Sequence, residues 1–404
     1  MRSSRYGVVV GVFLLACAEP RHSSDSSSGW GEVMTGAVAP APSLDAVGAA
    51  AAAGASGASS VGSGGSTTEG VVPVELGATA TEAPVVAAGG TDAGVLAPEP
   101  ARVGHPKQFI ASIHGGGADQ LVFVDVDNPQ RNWALDVSDG IQDFQLIGNN
   151  KLLVGYKFNF GYMEVDLATH RIDVQVRDFL ERSEAILTSV RRLENGHTLI
   201  MAQGLRNVAA GAAGNLEVWE VDNDKKIYEM RTFSGCCGNL RVVRLTDDGH
   251  FLVGGDSALV ELDQNGAEIM RRASGGSPTY MGLKTADGTY YATNGHGGQL
   301  VSWAPGGQRT VIGGRNSASS GDVAIYQPGQ FQILQNGNIV ITNWTAENGG
   351  MGQQLVEYDP GGNLVWSWDD PAVRPQGMET LLVLDNLDPA VLNDDRDGVL
   401  QPRR

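Results

Sequence analysis

Short apolar segments separated by regularly placed turn residues predict an all-β fold, a six-bladed β-propeller of four-stranded antiparallel blades. Gln330–Pro371 shows the pattern most clearly, with four such segments separated by Asn336-Gly337, Asn348-Gly349-Gly350 and Pro360-Gly361-Gly362. The pattern recurs at intervals of about 36 to 50 residues, as propeller blades do. A β-sandwich or an open solenoid is the alternative, but a sandwich would not repeat its turn residues so regularly.

The amino terminus has the features of a signal peptide. Arg2 and Arg5 precede an apolar run, Tyr6–Ala16, that is too short to span a bilayer, and Leu14-Leu15-Ala16-Cys17 ends it. This motif resembles the lipobox of bacterial lipoproteins. The resemblance implies that residues 1–16 are removed, that Cys17 is lipidated and that the protein is anchored in the bacterial cell envelope. Ala18 after the cysteine points, by the rule of that family, to the outer membrane; an ordinary secretory signal is the alternative.

Residues 17–104 contain few of the large apolar side chains that a core needs. Runs such as Val47–Ala55 and Ser59–Ser66 contain only Ala, Gly, Ser and Val, and prolines lie before and after these runs. Because so little apolar surface cannot offset the entropy lost on ordering, we expect a disordered tether.

The chain is strongly acidic. Its formal net charge is −18, and removal of Arg2 and Arg5 with the signal peptide leaves −20. Such a surface repels nucleic acid and anionic lipid. We therefore expect no nucleic acid as partner and contact with the membrane through the lipid anchor only. We also expect an envelope protein or a glycan as partner, and a monomer.

Residues 105–386 hold the blades. Five copies are complete: Gly140–Arg182, Ile186–Gly235, Asn239–Gly275, Thr279–Gly314 and Gly329–Pro371. Lys107–Val137 supplies only three strands, and Gly377–Asn386 reads as an inner strand with nothing after it. We predict that these two fragments form one blade, so that the C-terminal strand closes the ring and removes its open edges.

The blade pattern over His105–Asn386, with Asn-Gly turns and phrases such as Leu355-Val356-Glu357-Tyr358-Asp359, resembles the quinoprotein-like and arylsulfotransferase-like propellers. The resemblance implies a functional face around the channel mouth, formed by the loops that join the second to the third strand and the outer strand to the next blade. Quinoprotein alcohol dehydrogenases have eight blades and a recurring tryptophan signature. Neither occurs here, so we expect no quinone.

This rule places a set of ligand-face candidates at the channel mouth: Arg206, Cys236, Cys237, Tyr280, Trp344 and Arg374. His197 and His250 fall in turns of the opposite face, where we expect solvated side chains. Within Ser234–Gly238, Cys236 and Cys237 are neighbours, and an oxidising envelope favours a disulfide between them that shapes the mouth. Reduced thiols without a role and redox or metal chemistry are the alternatives.

His114 and His296 stand in glycine-rich loops of two blades and are candidate catalytic residues, since a histidine at the mouth is the nucleophile of arylsulfotransferases. Glu184, Asn239 and Glu379 are candidate ligands for calcium, because six-bladed lactonases hold calcium with carboxylates and amides at the same place. The alternative in both cases is that these residues have no function, because glycine-rich loops and inert polar channels are common in propellers.

Residues 387–404 form a polar C-terminal tail. Asn393–Gly398 resembles the front half of a calcium loop, but Arg404 stands where the closing Glu belongs, so we expect a disordered tail. Two functions remain open: a binding or scaffold module, or an enzyme of sulfuryl transfer, lactone hydrolysis or quinone-dependent oxidation at the same face. The absence of a nucleophile–base pair, a phosphate loop or a zinc motif from the sequence favours the binding module.

Overall fold

The computed structural model describes residues 105–114, 119–158, 160–177, 185–204, 214–314, 325–345, 352–370 and 377–403. The signal peptide, Cys17 and the tether lie outside these residues, so the predictions about them are untested. Where the chain is described, it contains no helix long and apolar enough to cross a membrane.

The described elements are almost entirely β-strands, with two short 3-10 helices at Pro129–Arg131 and Gly295–Gly297. In chain order the strands are β1 (Gln108–His114), β2 (Asp119–Asp125), β3 (Trp133–Val137), β4 (Ile141–Leu146), β5 (Lys151–Tyr156), β6 (Gly161–Asp166), β7 (Arg171–Val176), β8 (Ile186–Arg192), β9 (Thr198–Gly204), β10 (Gly214–Val221), β11 (Ile227–Cys237), β12 (Val243–Leu245), β13 (Phe251–Gly255), β14 (Ala258–Leu262), β15 (Glu268–Ala273), β16 (Gly282–Lys284), β17 (Tyr290–Thr293), β18 (Gln299–Trp303), β19 (Arg309–Gly314), β20 (Pro328–Ile333), β21 (Ile339–Asn343), β22 (Leu355–Tyr358), β23 (Leu364–Trp368), β24 (Gly377–Val383), β25 (Asn393–Asp394) and β26 (Gln401–Pro402).

Strands β1 to β24 form six antiparallel four-stranded sheets, the blades of a propeller, which confirms the predicted fold, and β25 pairs with β26 in a separate two-stranded sheet. Blades 2 to 6 take four consecutive strands each, from β4–β7 to β20–β23. Blade 1 has the order β24-β1-β2-β3, with Phe109 opposite Val383 and His114 opposite Gly377. The C-terminal strand therefore closes the ring as predicted.

The turns repeat one chemistry from blade to blade. Where the third strand ends, an Asp carboxylate accepts backbone N–H groups of the following turn: Asp166 accepts from Ala168 and Thr169, and Asp263 from Asn265 and Ala267. These bonds favour the ionised form and lower the pKa of both carboxyls. The recurring Asp is thus a turn-forming residue rather than a functional one.

A second repeated carboxylate links neighbouring blades. Glu164, Glu261 and Glu357 occupy equivalent places in the third strands of blades 2, 4 and 6. Each carboxylate meets a cation or imidazole of the next blade, with these closest distances: Glu164 to Arg192 at 2.6 Å, Glu261 to Lys284 at 3.0 Å and Glu357 to His105 at 3.4 Å. Buried carboxylates with such partners fix one blade against the next.

The C-terminal tail is ordered, which corrects the expectation of a disordered segment. Residues 387–403 cross the channel on the face opposite the mouth, where Leu392 bridges to Ile147 and Val399 to Ile333. Leu400 packs in the same apolar cluster as Leu382. The tail contacts blades 2, 3, 4 and 6 around the channel, so it closes this end.

Candidate functional site

The channel mouth lies where the second strand leads to the third and the outer strand leads to the next blade. Of the predicted ligand-face residues, Arg206 and Arg374 fall outside the described residues, as does the calcium candidate Glu184. Those that are described fall into three groups: a polar cluster around Glu379, the exposed His296, and the two cysteines.

Glu379, near the start of β24, is the centre of the polar cluster. Its side chain is only 7 % exposed, and its two oxygens lie 3.2 and 3.0 Å from Nζ of Lys157. The hydroxyl of Tyr280 donates to Oε1, and Nε2 of His114 lies 3.3 Å from Oε2. These groups come from blades 1, 2 and 5, so the carboxylate joins blades across the channel.

The charge state of this cluster follows from its contacts. Burial alone would raise the pKa of Glu379, but Lys157 and His114, together with the Tyr280 hydroxyl, outweigh burial and lower the pKa to about 2. Burial, and then the nearby carboxylate, raise the pKa of Tyr280 well above its usual value. Glu379 is therefore ionised and Tyr280 neutral at physiological pH, and the carboxyl group cannot act there as a general acid.

His114, the last residue of β1, has both ring nitrogens engaged. Nδ1 lies 3.0 Å from Oδ1 of Asp119, and Nε2 lies 3.1 Å from the hydroxyl of Ser112. The hydrogen-bonded order Ser–His–Asp is that of a hydrolytic triad, but the serine does not have the accessibility of a nucleophile. Ser112 is fully buried in the sheet, and its hydroxyl accepts the backbone N–H of Thr380, so it presents no accessible nucleophile.

The outer part of the mouth carries partly exposed groups. Lys157 and Asp119 expose 18 % and 21 % of their side chains. Trp344 is half-buried, with its ring 5.5 Å from that of His114, and the guanidinium of Arg241 lies 5.9 Å from the centre of the Tyr280 ring. An aromatic surface therefore stands beside groups of both charges.

The channel below this cluster is filled by side chains. The amide of Gln330 donates to the backbone carbonyl of Gln142 at 2.8 Å. Deeper still, the fully buried Asp143 pairs with Arg191 at 2.6 Å and with Arg244 at 3.0 Å. Asp395 of the tail lies 2.9 Å from Nε of Arg244. Two carboxylates and two guanidiniums therefore form one ionic group. A ligand that enters by the mouth stops at the Glu379 cluster.

Comparisons with known proteins agree on the fold. No protein-family model matches the chain, and no curated protein matches it. A solved protein of unknown function from Bacteroides caccae is similar, with 17 % identity and a TM-score of 0.54 over 69 % of this chain and 98 % of that chain. At this identity the similarity shows the fold alone.

Two other solved structures have TM-scores of 0.42 and carry no functional argument. One is regucalcin, a calcium-binding protein from Agrobacterium tumefaciens, with 12 % identity over 66 % of this chain and 94 % of that chain. The other is a catalytically inactive virginiamycin B lyase from Staphylococcus aureus with quinupristin, with 9 % identity over 65 % and 85 %.

The donor set around Glu379 does not fit the predicted calcium site. Calcium needs several oxygen ligands, whereas an ammonium, an imidazole and a donating hydroxyl already surround this carboxylate. Asn239 is exposed, in a left-handed turn at φ 45°, and no described contact joins it to Glu379. Asn239 and Glu379 are thus not brought together in the described structure, and the calcium site that includes Glu184 stays a prediction.

His296 stands apart from His114. It lies in the 3-10 turn between β17 and β18, as predicted for that loop, but its side chain is exposed and no described contact links it to the Glu379 cluster. The two histidines do not form one site in the described structure.

Cys236 and Cys237 end the outer strand β11 rather than standing in a loop, because Cys237 still pairs with Gly214. Both are free thiols in this structure. A hydrogen bond from Cys237 lowers the pKa of the Cys236 thiol and raises that of Cys237. Arg271 donates to the carbonyl of Cys236 at 3.0 Å, so the pair lies against blade 4. The disulfide and its role in shaping the mouth stay predictions.

One possible metal-binding group was missed by sequence reasoning. Asp248, His250 and Glu261 place ligand atoms within 4.8 Å of one another on the face opposite the mouth. His250 was expected to be solvated, but its Nδ1 lies 2.9 Å from Glu261. Nζ of Lys284 lies 3.0 Å from Glu261 and 3.5 Å from Asp248, so an ammonium already pairs with both carboxylates of the group.

Proposed function

We propose that this chain is a lipid-anchored binding module of the bacterial cell envelope that takes a glycan at the mouth of its propeller channel. The observation that carries the proposal is the Glu379 cluster, a buried network that holds partly exposed donors and acceptors around an aromatic ring.

The composition of the mouth favours a neutral or mixed-charge polar ligand. Trp344 offers an apolar ring face with few rotatable bonds, and Lys157 and Asp119 offer a donor and an acceptor beside it. Sugars combine apolar C–H faces with a ring of hydroxyl groups, which suits this pairing. A rigid support also reduces the entropy lost on binding.

An enzyme at the same face is the alternative. Sulfuryl transfer, lactone hydrolysis or quinone-dependent oxidation would need an available nucleophile or base. Of the two predicted catalytic histidines, His114 has both ring nitrogens engaged by Asp119, Ser112 and Glu379, and His296 is exposed with no described contact to this cluster. This arrangement supports a positioning role for His114 and favours the binding module.

The anchor rests on the lipobox resemblance at Cys17 and is tested by Cys17→Ser. We expect the wild-type protein to partition into the detergent phase and the variant to move almost entirely into the aqueous phase, because acyl burial is the strong membrane contact that the sequence offers. Intact mass of the wild-type protein should show acyl chains on residue 17. A variant that stays with the membrane, or a wild-type chain cleaved elsewhere, contradicts the anchor.

The mouth is tested by calorimetric titration of the full chain with soluble muropeptides and lipopolysaccharide core oligosaccharides. We expect one of these glycan classes to bind, and Lys157→Met and Trp344→Ala to weaken its binding about tenfold each, or about 1.4 kcal/mol. Lys151→Met is the matched control, because this lysine stands at the other end of β5 and pairs with Asp173 at 3.1 Å.

Two results would refute the proposed binding site. If neither glycan class binds, the ligand class is wrong. If Lys157→Met and Lys151→Met bind the glycan equally well, the mouth is not where it binds.

A further inference from the structure

A groove lies between blades 1 and 2 on the face opposite the mouth. Its volume is about 730 Å³, within the range of small-molecule sites. The apolar part of its lining comes from the ends of strands, from a turn and from the start of the tail: Phe123, Trp133, Leu146, Leu167, Leu384 and Leu387. The tail that closes the channel therefore also supplies one wall of this groove.

A column of three stacked rings forms one side of the groove. The rings of Phe123 and Trp133 are stacked 5.8 Å apart at 10°, and the ring of His170 is stacked on that of Trp133 at 4.7 Å and 24°. Trp133 is half-buried. The stack fixes the indole in one orientation, so its exposed edge offers a rigid apolar surface to a flat or branched ligand.

The charge of this lining is unusual for this protein. The chain has 46 acidic residues and a net charge of −18, yet none of the described residues that line the groove is acidic. Its ionisable residues are Arg131 and His170. Arg131 exposes 57 % of its side chain and uses Nη1 to pair with the buried Asp125 at 2.9 Å, which holds the guanidinium at the rim. The remaining N–H groups of a guanidinium can bind a carboxylate or sulfonate.

We propose that this groove is a second ligand site, which binds small amphipathic organic anions: an aromatic or branched apolar body lies against Trp133 and the leucines, and an acidic head group pairs with Arg131. In a strongly acidic protein, a cationic rim over an apolar floor favours such a ligand over a neutral or cationic one. The site is independent of the channel mouth, since the filled channel separates the two faces.

The test compares two fluorescent probes on the full chain. 8-Anilinonaphthalene-1-sulfonate has an apolar body and an anionic group, and N-phenyl-1-naphthylamine has the same body without the sulfonate. We expect Arg131→Gln to weaken binding of the sulfonate about tenfold and to change binding of the neutral probe less than twofold. Arg171→Gln, on the exposed strand β7 outside the groove, should change neither.

A second variant tests the same site while leaving Arg131 and its ion pair intact. Ala168 is exposed in the groove lining, so Ala168→Asp adds a negative charge without removing a core contact. We expect it to weaken binding of the sulfonate probe about tenfold. The proposal is overturned if the wild-type chain does not bind the sulfonate, if Arg131→Gln weakens both probes equally, or if Arg131→Gln and Ala168→Asp leave its binding unchanged.

Discussion

A chain that ends at Gln376 is expected not to fold, whereas a chain that ends at Asn386 is expected to fold with reduced stability. The difference is β24, whose seven residues are all buried. It pairs with β1 from Phe109–Val383 to His114–Gly377, and it supplies Glu379 to the channel cluster. Loss of the strand opens the ring, exposes the edge of β1 and removes core side chains from blade 1.

The chain that ends at Asn386 is the control that separates the strand from the tail. It keeps β24 but loses Asp395, which pairs with Arg244, and Leu400, which packs near Leu382. Circular dichroism and urea unfolding should show a cooperative transition at lower urea for this control and no cooperative transition for the shorter chain. Equal cooperative unfolding of both chains would show that β24 does not hold the ring closed.

The blades could be predicted because their information is local. Asn195-Gly196 and Asn336-Gly337 form turns in which the asparagine side chain accepts a backbone N–H and the glycine takes a positive φ of 84° and 83°. Such turns need only neighbouring residues. Ring closure could also be predicted, because an incomplete blade at one end of the chain matches a single strand at the other.

The order of the tail could not be predicted, because it depends on contacts with residues that are distant in the sequence. Asn393–Gly398 reads as part of a calcium loop, since its acids follow one another closely in the sequence. In the structure Asp395 meets Arg244, and Asp394 lies 2.9 Å from Arg403. Arg403 belongs to the tail itself, but Arg244 is brought next to Asp395 only when the ring has closed, and no local pattern indicates that contact.

For the candidate site, the sequence predicts which residues lie at the mouth but not how they pair. Sorting residues by strand end selected His114, Tyr280 and Glu379, and the structure brings all three together. Their pairing across the channel depends on blade number and channel width, which the sequence does not give. Lys157 was missed, although it follows the second strand of blade 2, as Trp344 follows that of blade 6. The same sorting rule would have found it.

The second large effect is expected from Asp143→Ala, which should lower the free energy of unfolding by about 3–5 kcal/mol, the usual result when one partner of a buried ion pair is removed. Asp143 is fully buried, and its carboxylate accepts from Arg191 at 2.6 Å and from the backbone of Val190 at 3.1 Å. Arg244 pairs with it at 3.0 Å. Without Asp143, two buried guanidiniums face each other with Asp395 as the remaining carboxylate.

Asp395→Ala is the matched control for Asp143→Ala, because it removes the other carboxylate of the same four-residue group. The Asp395 side chain is 13 % exposed, and its carboxylate lies 2.9 Å from Arg244 and 3.7 Å from Arg191. Since water can reach the position that it leaves, we expect a loss of about 1–2 kcal/mol, below that for Asp143→Ala. Urea unfolding of both variants measures the difference.

Burial and then Arg191 lower the pKa of Arg244, so these guanidiniums already repel each other in the intact protein. If Asp143→Ala costs less than 1 kcal/mol, the two arginines do not depend on Asp143, and the channel interior is held together by its backbone pairing instead.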